Sequence, residues 1–293
     1  MLAAQRQQLI LQELQSAGTV RVAALAEDLG VSEMTVRRDI DALDAGGLLL
    51  RVHGGAARTD GFSALEPAFA SKSTRELAAK AAIAAEAVRL IQPGMTLLIS
   101  GGTTTFELAR ILPRDLDLTV ATNSIMVANA LAAGVGSDGG GAIRTLVLGG
   151  ERTPSEALVG PLAAQAVRMV NADLCFMGVH GMELQAGITS PNLLEAELNA
   201  AMIDASRKLI VLADATKYGL VGLACIAPVS AVDTLITDVR IAEVPGGQLA
   251  ALRKIVADVR IAGHPADRDR PMEHATTPGA QQPPVPAPKG HQP

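Results

Sequence analysis

The 293-residue chain has no tryptophan, one tyrosine and four phenylalanines. Single-strand nucleic-acid binders stack bases on aromatic rings, so this scarcity argues against that class. Its two cysteines, Cys175 and Cys225, each sit in an apolar run. Two cannot build a disulfide framework or a four-cysteine metal site, and both read as buried strand residues. A reducing compartment fits that usage. No apolar run reaches the ~18 residues of a spanning helix, and the polar stretch Gln5-Arg6-Gln7-Gln8 leaves no signal-peptide core. The expectation is a cytoplasmic protein with no membrane segment. A cationic excess is missing too: 25 Lys and Arg face 30 Asp and Glu, a formal net charge of −5. Nucleic-acid contact must then come from a local patch.

Apolar residues make up 48% of the chain, which excludes wholesale disorder. At ~150 residues per domain, the length fits about two domains. Composition divides it further. Residues 1–58 carry short helical patterns and read as one small domain. Residues 59–73 are a polar, proline-containing linker. Residues 74–262 alternate β-branched or leucine runs with alanine-rich helical stretches, the signature of βαβ units and a mostly parallel sheet. Strands are expected at Met95–Ser100, Leu118–Thr122, Arg144–Leu148, Leu174–Val179, Lys208–Ala213, Ala224–Ala227, Thr234–Thr237 and Asp258–Ile261. Residues 134–141 read as a flexible loop. Residues 263–293, rich in Pro, Gln and Gly, read as a disordered tail whose histidines are too irregularly spaced for a metal site.

In the small domain, Leu9, Ile10 and Leu14 form the stripe of a first helix, and a second spans Val22 to Leu29. Gly30 turns the chain and Ser32 caps a third helix from Glu33 to Ala45. Val36, Ile40 and Leu43 face its core, so Met34, Arg38 and Asp41 point outward with Thr35 and Arg37 on the flanks. A tight turn before a helix that opens with polar and basic residues describes a helix-turn-helix. Arg37 and Arg38 could reach guanine edges or phosphates, and Ser32 and Thr35 phosphate oxygens. Leu48–Val52 and His53-Gly54-Gly55-Ala56 suggest a hairpin wing with Arg51, His53 and Arg58 beside the DNA. A generic interaction module with a solvated arginine face is the competing reading.

The larger domain carries Ile99-Ser100-Gly101-Gly102-Thr103-Thr104-Thr105, a strand running through glycines into a helix. Helix-start N–H groups and threonine hydroxyls make an anion cradle. A tight turn with threonine caps explains the same residues equally well. It is neither a Walker loop nor a dinucleotide fingerprint. Thr122-Asn123-Ser124, Gly149-Gly150, Gly178-Val179-His180 and Asp214-Ala215-Thr216-Lys217 follow other strands, where ligands of α/β sheets sit. Glu195 and Asn199 share a helix face.

These residues carry a resemblance. The run Val31-Ser32-Glu33-Met34-Thr35-Val36-Arg37-Arg38-Asp39 and the later His53-Gly54-Gly55-Ala56 resemble the DeoR-family winged helix-turn-helix. The GGTTT, TNS, LGG, FMGVHG, EAE and LADATKYG segments resemble that family's effector domain, so the likeness spans roughly residues 3–262. It implies an α/β protein: a winged helix-turn-helix, then a Rossmann-like effector domain resembling ribose-phosphate isomerase and CoA transferase. It implies DNA contacts at Ser32, Thr35, Arg37, Arg38, Arg51 and His53. It implies effector phosphate at Gly102, Thr103 and Thr104, with Thr122, Asn123, Gly149, Gly150, Glu195 and Lys217 around the sugar. Asp39 is expected to be structural. Three departures stand out: Ser100 where the family commonly has Asp, Asn199 near a common Lys, and the inserted 134–141 loop. Losing an acid and a base counts against catalysis, which needs both.

The expected function is a sequence-specific DNA-binding regulator, a repressor of a carbohydrate-catabolism operon. A phosphorylated sugar would release it from double-stranded operator DNA. It would use no cofactor, metal or catalytic residue, and would act as a homo-oligomer, dimer or tetramer. The alternatives are a sugar-phosphate isomerase or CoA-transferase-like enzyme with an appended helical domain, and a protein-binding adaptor without salt-dependent DNA affinity.

Overall fold

The computed structural model describes residues 3–17, 19–45, 48–52, 54–57, 61–63, 68–133, 142–244 and 248–263. The wing residues His53 and Arg58, the 134–141 loop and the tail beyond Gly263 lie outside them.

Apolar spacing builds the first unit. Helix α1 (Ala3–Ala17), strand β1 (Thr19–Arg21), α2 (Val22–Asp28) and α3 (Glu33–Ala45) are followed by β2 (Leu50–Val52) and β3 (Gly55–Ala57). Ile10 and Leu14 of α1, Leu25 of α2 and Val36, Ile40 and Leu43 of α3 close one small core with Leu49 and Ala56. Leu9, expected in the α1 stripe, is 41% exposed. It falls one step off the line through Ile10 and Leu14. Buried Asp39 of α3 accepts from Arg6 Nε of α1 at 2.7 Å, a structural role. The hairpin gains a strand, giving an antiparallel sheet in the order β1-β3-β2. Only glycine fits at Gly55, where a Cβ would lie 1.9 Å from the Val20 carbonyl oxygen.

Strand β4 (Gly61–Ser63) and the short helix α4 (Phe69–Ser73) lead into the larger unit. There follow α5 (Leu77–Val88), β5 (Thr96–Ile99), α6 (Thr103–Arg110), β6 (Thr119–Thr122), α7 (Ile125–Ala133), β7 (Arg144–Val147), β8 (Glu151–Arg152) and β9 (Leu158–Val159). Next come α8 (Pro161–Val167), β10 (Ala172–Gly178), β11 (Gly181–Glu183), β12 (Gly187–Ser190) and α9 (Leu193–Asp204). The last elements are β13 (Ser206–Leu212), β14 (Leu220–Gly222), β15 (Ala224–Ala227), β16 (Thr234–Asp238), α10 (Gln248–Ile255) and β17 (Asp258–Ala262).

Seven strands form a parallel sheet in the order β17-β16-β13-β10-β5-β6-β7. Parallel strands need crossovers, and the helices that supply them cover both faces. Side chains alternate accordingly. Leu97, Ile99, Leu174, Phe176, Ile210 and Leu212 join the core with residues of α5, α6 and α7. Leu98, Cys175, Met177, Leu209 and Val211 join the other core with residues of α8, α9 and α10. The expected strand Ala224–Ala227 exists, but it belongs to a separate antiparallel sheet, β11-β12-β15, whose outer edge leaves Cys225 exposed and not buried as expected. Its partner is Ile188–Ser190, a pairing that strand periodicity does not encode. The linker is anchored too: β4 pairs in parallel with β14, Gly61 opposite Leu220.

Phe176 lies on the central strand and is fully buried. Phe176→Ala is expected to lower unfolding stability by about 3–5 kcal/mol, read from the urea midpoint. A loss under about 1 kcal/mol would contradict that packing.

Candidate functional site

Two sites emerge, one on each unit. On α3, the Ser32 hydroxyl accepts from the Thr35 N–H at 3.2 Å, capping the helix start. Ser32, Arg37, Arg38 and Arg51 are exposed, and Thr35 is half-buried. Arg37 pairs with Glu33 at 2.8 Å, one turn away. Arg51 pairs with Asp41. Both pairs are exposed, so DNA phosphates can replace them at small cost. No ion pair of Arg38 is found among the described residues, which leaves it the most available cation of the helix. Met34, 57% exposed on the same outward face, offers an apolar contact.

The second site follows from strand order. The chain winds outward through β5, β6 and β7, then returns to place β10 on the other side of β5 and winds outward again. Two neighbouring loops therefore leave the carboxyl ends of β5 and β10 in opposite directions, opening a crevice. Gly101, Gly102, Thr103 and Thr104 line it after β5; Gly178, Val179 and His180 line it after β10. Ser190 and Pro191, Glu195 and Asn199 of α9, and Lys217 add further wall. Ile226 of β15 is an apolar contribution, and Lys72 of α4 reaches it from the linker side.

Buried Ser100 holds the two loops together. Its hydroxyl accepts from the Gly178 N–H at 3.1 Å and donates to the Gly101 carbonyl at 3.3 Å. Gly102 has φ of 155°, and a Cβ there would come 3.1 Å from Thr105 Oγ1. Its carbonyl accepts from Phe106 N and Thr105 Oγ1, starting α6. The first-turn N–H groups of a helix lack intrahelical acceptors and carry partial positive charge. In the same lining, Glu195 accepts from the Ser190 hydroxyl at 2.9 Å and the Ser155 hydroxyl at 3.2 Å. Asn199 is 4% exposed, and its Oδ1 has no hydrogen-bond partner among the described residues. The cleft thus offers cations and N–H donors for an anion, and acceptors for hydroxyl groups.

Gly102, Thr103, Thr104, Glu195 and Lys217, expected around an effector, meet in this cleft. Thr122, Asn123, Gly149 and Gly150 are not among its lining residues. Thr122 is buried, donating to the Ile99 carbonyl at 2.7 Å. Asn123 is also buried, and its Oδ1 accepts from the Gly101 N–H at 3.0 Å. These two brace the glycine turn from behind. Gly150 packs against β9, where a Cβ would lie 2.4 Å from the Val159 carbonyl oxygen. Sequence reasoning missed Lys72, assigned to the linker. Its only signal was a cation three residues after Phe69.

Behind the cleft, Lys80 of α5 is buried, and its ammonium donates to the Lys72 and Arg75 carbonyls at 2.6 and 2.5 Å. Burial pulls it down from 10.5 to about 8; Asp214 opposes that shift and Lys217 adds to it. No group of metal-binding type occurs among the described residues, and no helix there is long and apolar enough to cross a membrane.

A helix-turn-helix that exposes the arginine pair Arg37 and Arg38, joined to an α/β unit with a polar cleft, defines a DNA-binding protein with a ligand-sensing domain. Comparison gives the family. Residues 6–61 match the DeoR-like helix-turn-helix domain, and residues 75–239 match the DeoR C terminal sensor domain. The chain is 34% identical over 261 residues to an Escherichia coli O157:H7 protein named as a candidate aga operon transcriptional repressor, covering 88% of this chain and 94% of that one. It is 32% identical to the HTH-type transcriptional regulator GlpR of Haloferax volcanii, covering 81% of this chain and 91% of the other. The transcriptional repressor AccR of Agrobacterium fabrum is 31% identical, covering 80% and 88%. The chain belongs to the DeoR family of helix-turn-helix transcriptional regulators. These relatives are regulators, not enzymes. Among solved structures, ribose 5-phosphate isomerase A of Methanocaldococcus jannaschii overlaps with a TM-score of 0.35 at 16% identity. The overlap spans 47% of this chain and about half, 53%, of that one, and carries no functional argument.

Arg38→Ala is expected to weaken specific DNA binding by about 1–3 kcal/mol with little change in fold stability. Wild-type affinity in a salt-controlled titration would remove Arg38 from the interface. For Lys80, the unfolded side chain keeps its proton to 10.5 and the native one sheds it near 8. Between those values the unfolded state binds more protons, so this group's contribution to stability rises with pH. Lys80→Met should flatten the slope of unfolding free energy across that window. An unchanged slope would contradict the burial of the charge.

Proposed function

We propose that this regulator represses a carbohydrate-catabolism operon and that a phosphorylated sugar releases it from operator DNA. In this reading, Ser32, Thr35, Arg37, Arg38, Arg51 and His53 contact the operator. The phosphate sits against Gly102, Thr103 and Thr104 with Lys217 beside it, and the sugar hydroxyls meet Glu195 and Asn199. Thr122 and Asn123 brace the glycine turn from behind the site. The observation that carries the reading is the pairing, in one crevice, of a helix start and Lys217 with the acceptors Glu195 and Asn199. Donors for an anion and acceptors for hydroxyls in one crevice fit a sugar phosphate. The relatives' names, a candidate aga operon repressor and the repressor AccR, support the sign of regulation and the link to an operon.

Release requires that the ligand bind the DNA-free form better than the bound one. DNA and ligand then weaken each other by the same factor. A two-fold operator would be read by a dimer or a tetramer of the chain, with half-sites one helical turn or a multiple apart.

The test uses the full chain and the DNA upstream of its own gene, titrated with salt and then with hexose 1-phosphates and 6-phosphates. Specific binding should fall steeply with salt. One of the sugar phosphates should lower operator affinity. Lys217→Gln should leave DNA affinity unchanged yet raise the concentration needed for release about tenfold, the worth of one charge-assisted hydrogen bond. Specific binding that no sugar phosphate relieves would overturn the inducer assignment.

A further inference from the structure

We propose that Lys72 contacts the ligand's phosphate and that its helix couples the cleft to the DNA-binding unit. This rests on the cleft being an anion site and adds a residue and a route to it. Lys72 sits on α4, in the segment joining the two units, and lines the cleft together with Gly102 and Thr103. Its helix is seated on α6: buried Phe69 meets Phe106 edge to face, with ring centroids 5.6 Å apart. The cation therefore approaches the α6 start from a fixed platform.

The same helix leads to α3 in two further contacts. The Lys72 carbonyl accepts from Lys80 Nζ and from the Arg75 N–H, and Lys80 Nζ also donates to the Arg75 carbonyl. A buried ammonium deprived of either acceptor is costly, so residues 72 and 75 move as one piece. The Arg75 guanidinium pairs with Asp44 near the end of α3. Asp44 also accepts from the Arg51 N–H at 2.7 Å, joining α3 to the wing strand β2. The next residue, Glu76, is held at φ of 54°, a strained left-handed conformation for a non-glycine residue. Strain at that point marks where the segment can turn. A phosphate that draws Lys72 toward Thr103 pulls on Arg75, and so on Asp44 between α3 and β2.

The experiment uses the full chain and inorganic phosphate as probe, at ionic strength matched with chloride. Binding is read from the rise in Tm, and coupling from amide exchange over residues 41–52. Wild type should show both responses. Lys72→Gln should lose most of the Tm response, and Lys72→Arg should keep it. Asp44→Asn, whose amide still accepts from Arg51, should keep the Tm response and lose the exchange response. A Lys72→Gln chain that responds like wild type, or an Asp44→Asn chain that keeps the exchange response, overturns the coupling while the anion site stands. A wild-type chain with no Tm response to phosphate overturns the anion site and the coupling together.

Discussion

The sensing unit depends on β5 and β10 being neighbours. Ser100 and Gly178 are 78 positions apart in sequence, yet one hydroxyl joins them. Every later element takes its place from that seam. Strands added after β5 extend the sheet one way, and strands added after β10 extend it the other way. The crevice above the seam exists because the winding reverses there, not because any loop is long. The seam also sets the charge of the crevice floor. A neutral hydroxyl at Ser100 puts no carboxylate beside Gly102 and Thr103 to oppose an anion. Ser100 thus holds the loops together without adding a charge next to the cleft.

The DNA-binding unit meets a different constraint, a chain with more acids than bases. It keeps its acids close to its cations. Glu33 and Asp41 hold Arg37 and Arg51 in exposed pairs, and Asp39 is turned inward to Arg6. Exposed pairs are weak enough to exchange for phosphates, whereas the inward one belongs to the fold. The local field that DNA meets is thus set by pairing and not by net charge.

Much of this was legible in the sequence, for identifiable reasons. The spacing of Val36, Ile40 and Leu43 fixes one face of α3 and leaves the opposite face for Arg38. The run from Leu97 to Thr105 reads as strand, turn and helix because its apolar stretch ends at two glycines. Strands buried on both faces are nearly continuous apolar runs, so β10, β13 and β16 were visible. What stayed hidden depends on contacts between distant segments. Ala224–Ala227 looks like any strand, and only its pairing with Ile188–Ser190 puts it in a second sheet. Thr122 and Asn123 carry ligand-like groups, but the Ile99 carbonyl and the Gly101 N–H engage them first. Lys72 lies in a segment whose composition reads as linker, and its position depends on Phe69 finding Phe106.

The pairing of β4 with β14 bears on modularity. A polar connector between two folded units looks like the natural place to exchange one DNA-reading head for another. Here Gly61–Ser63 is a strand of the sensing unit, hydrogen-bonded to Leu220–Gly222. A transplant that cut after Ser63 would import a foreign strand into that ladder. The portable head therefore ends before Gly61, because a chimera cut there keeps the ladder between β4 and β14 whole.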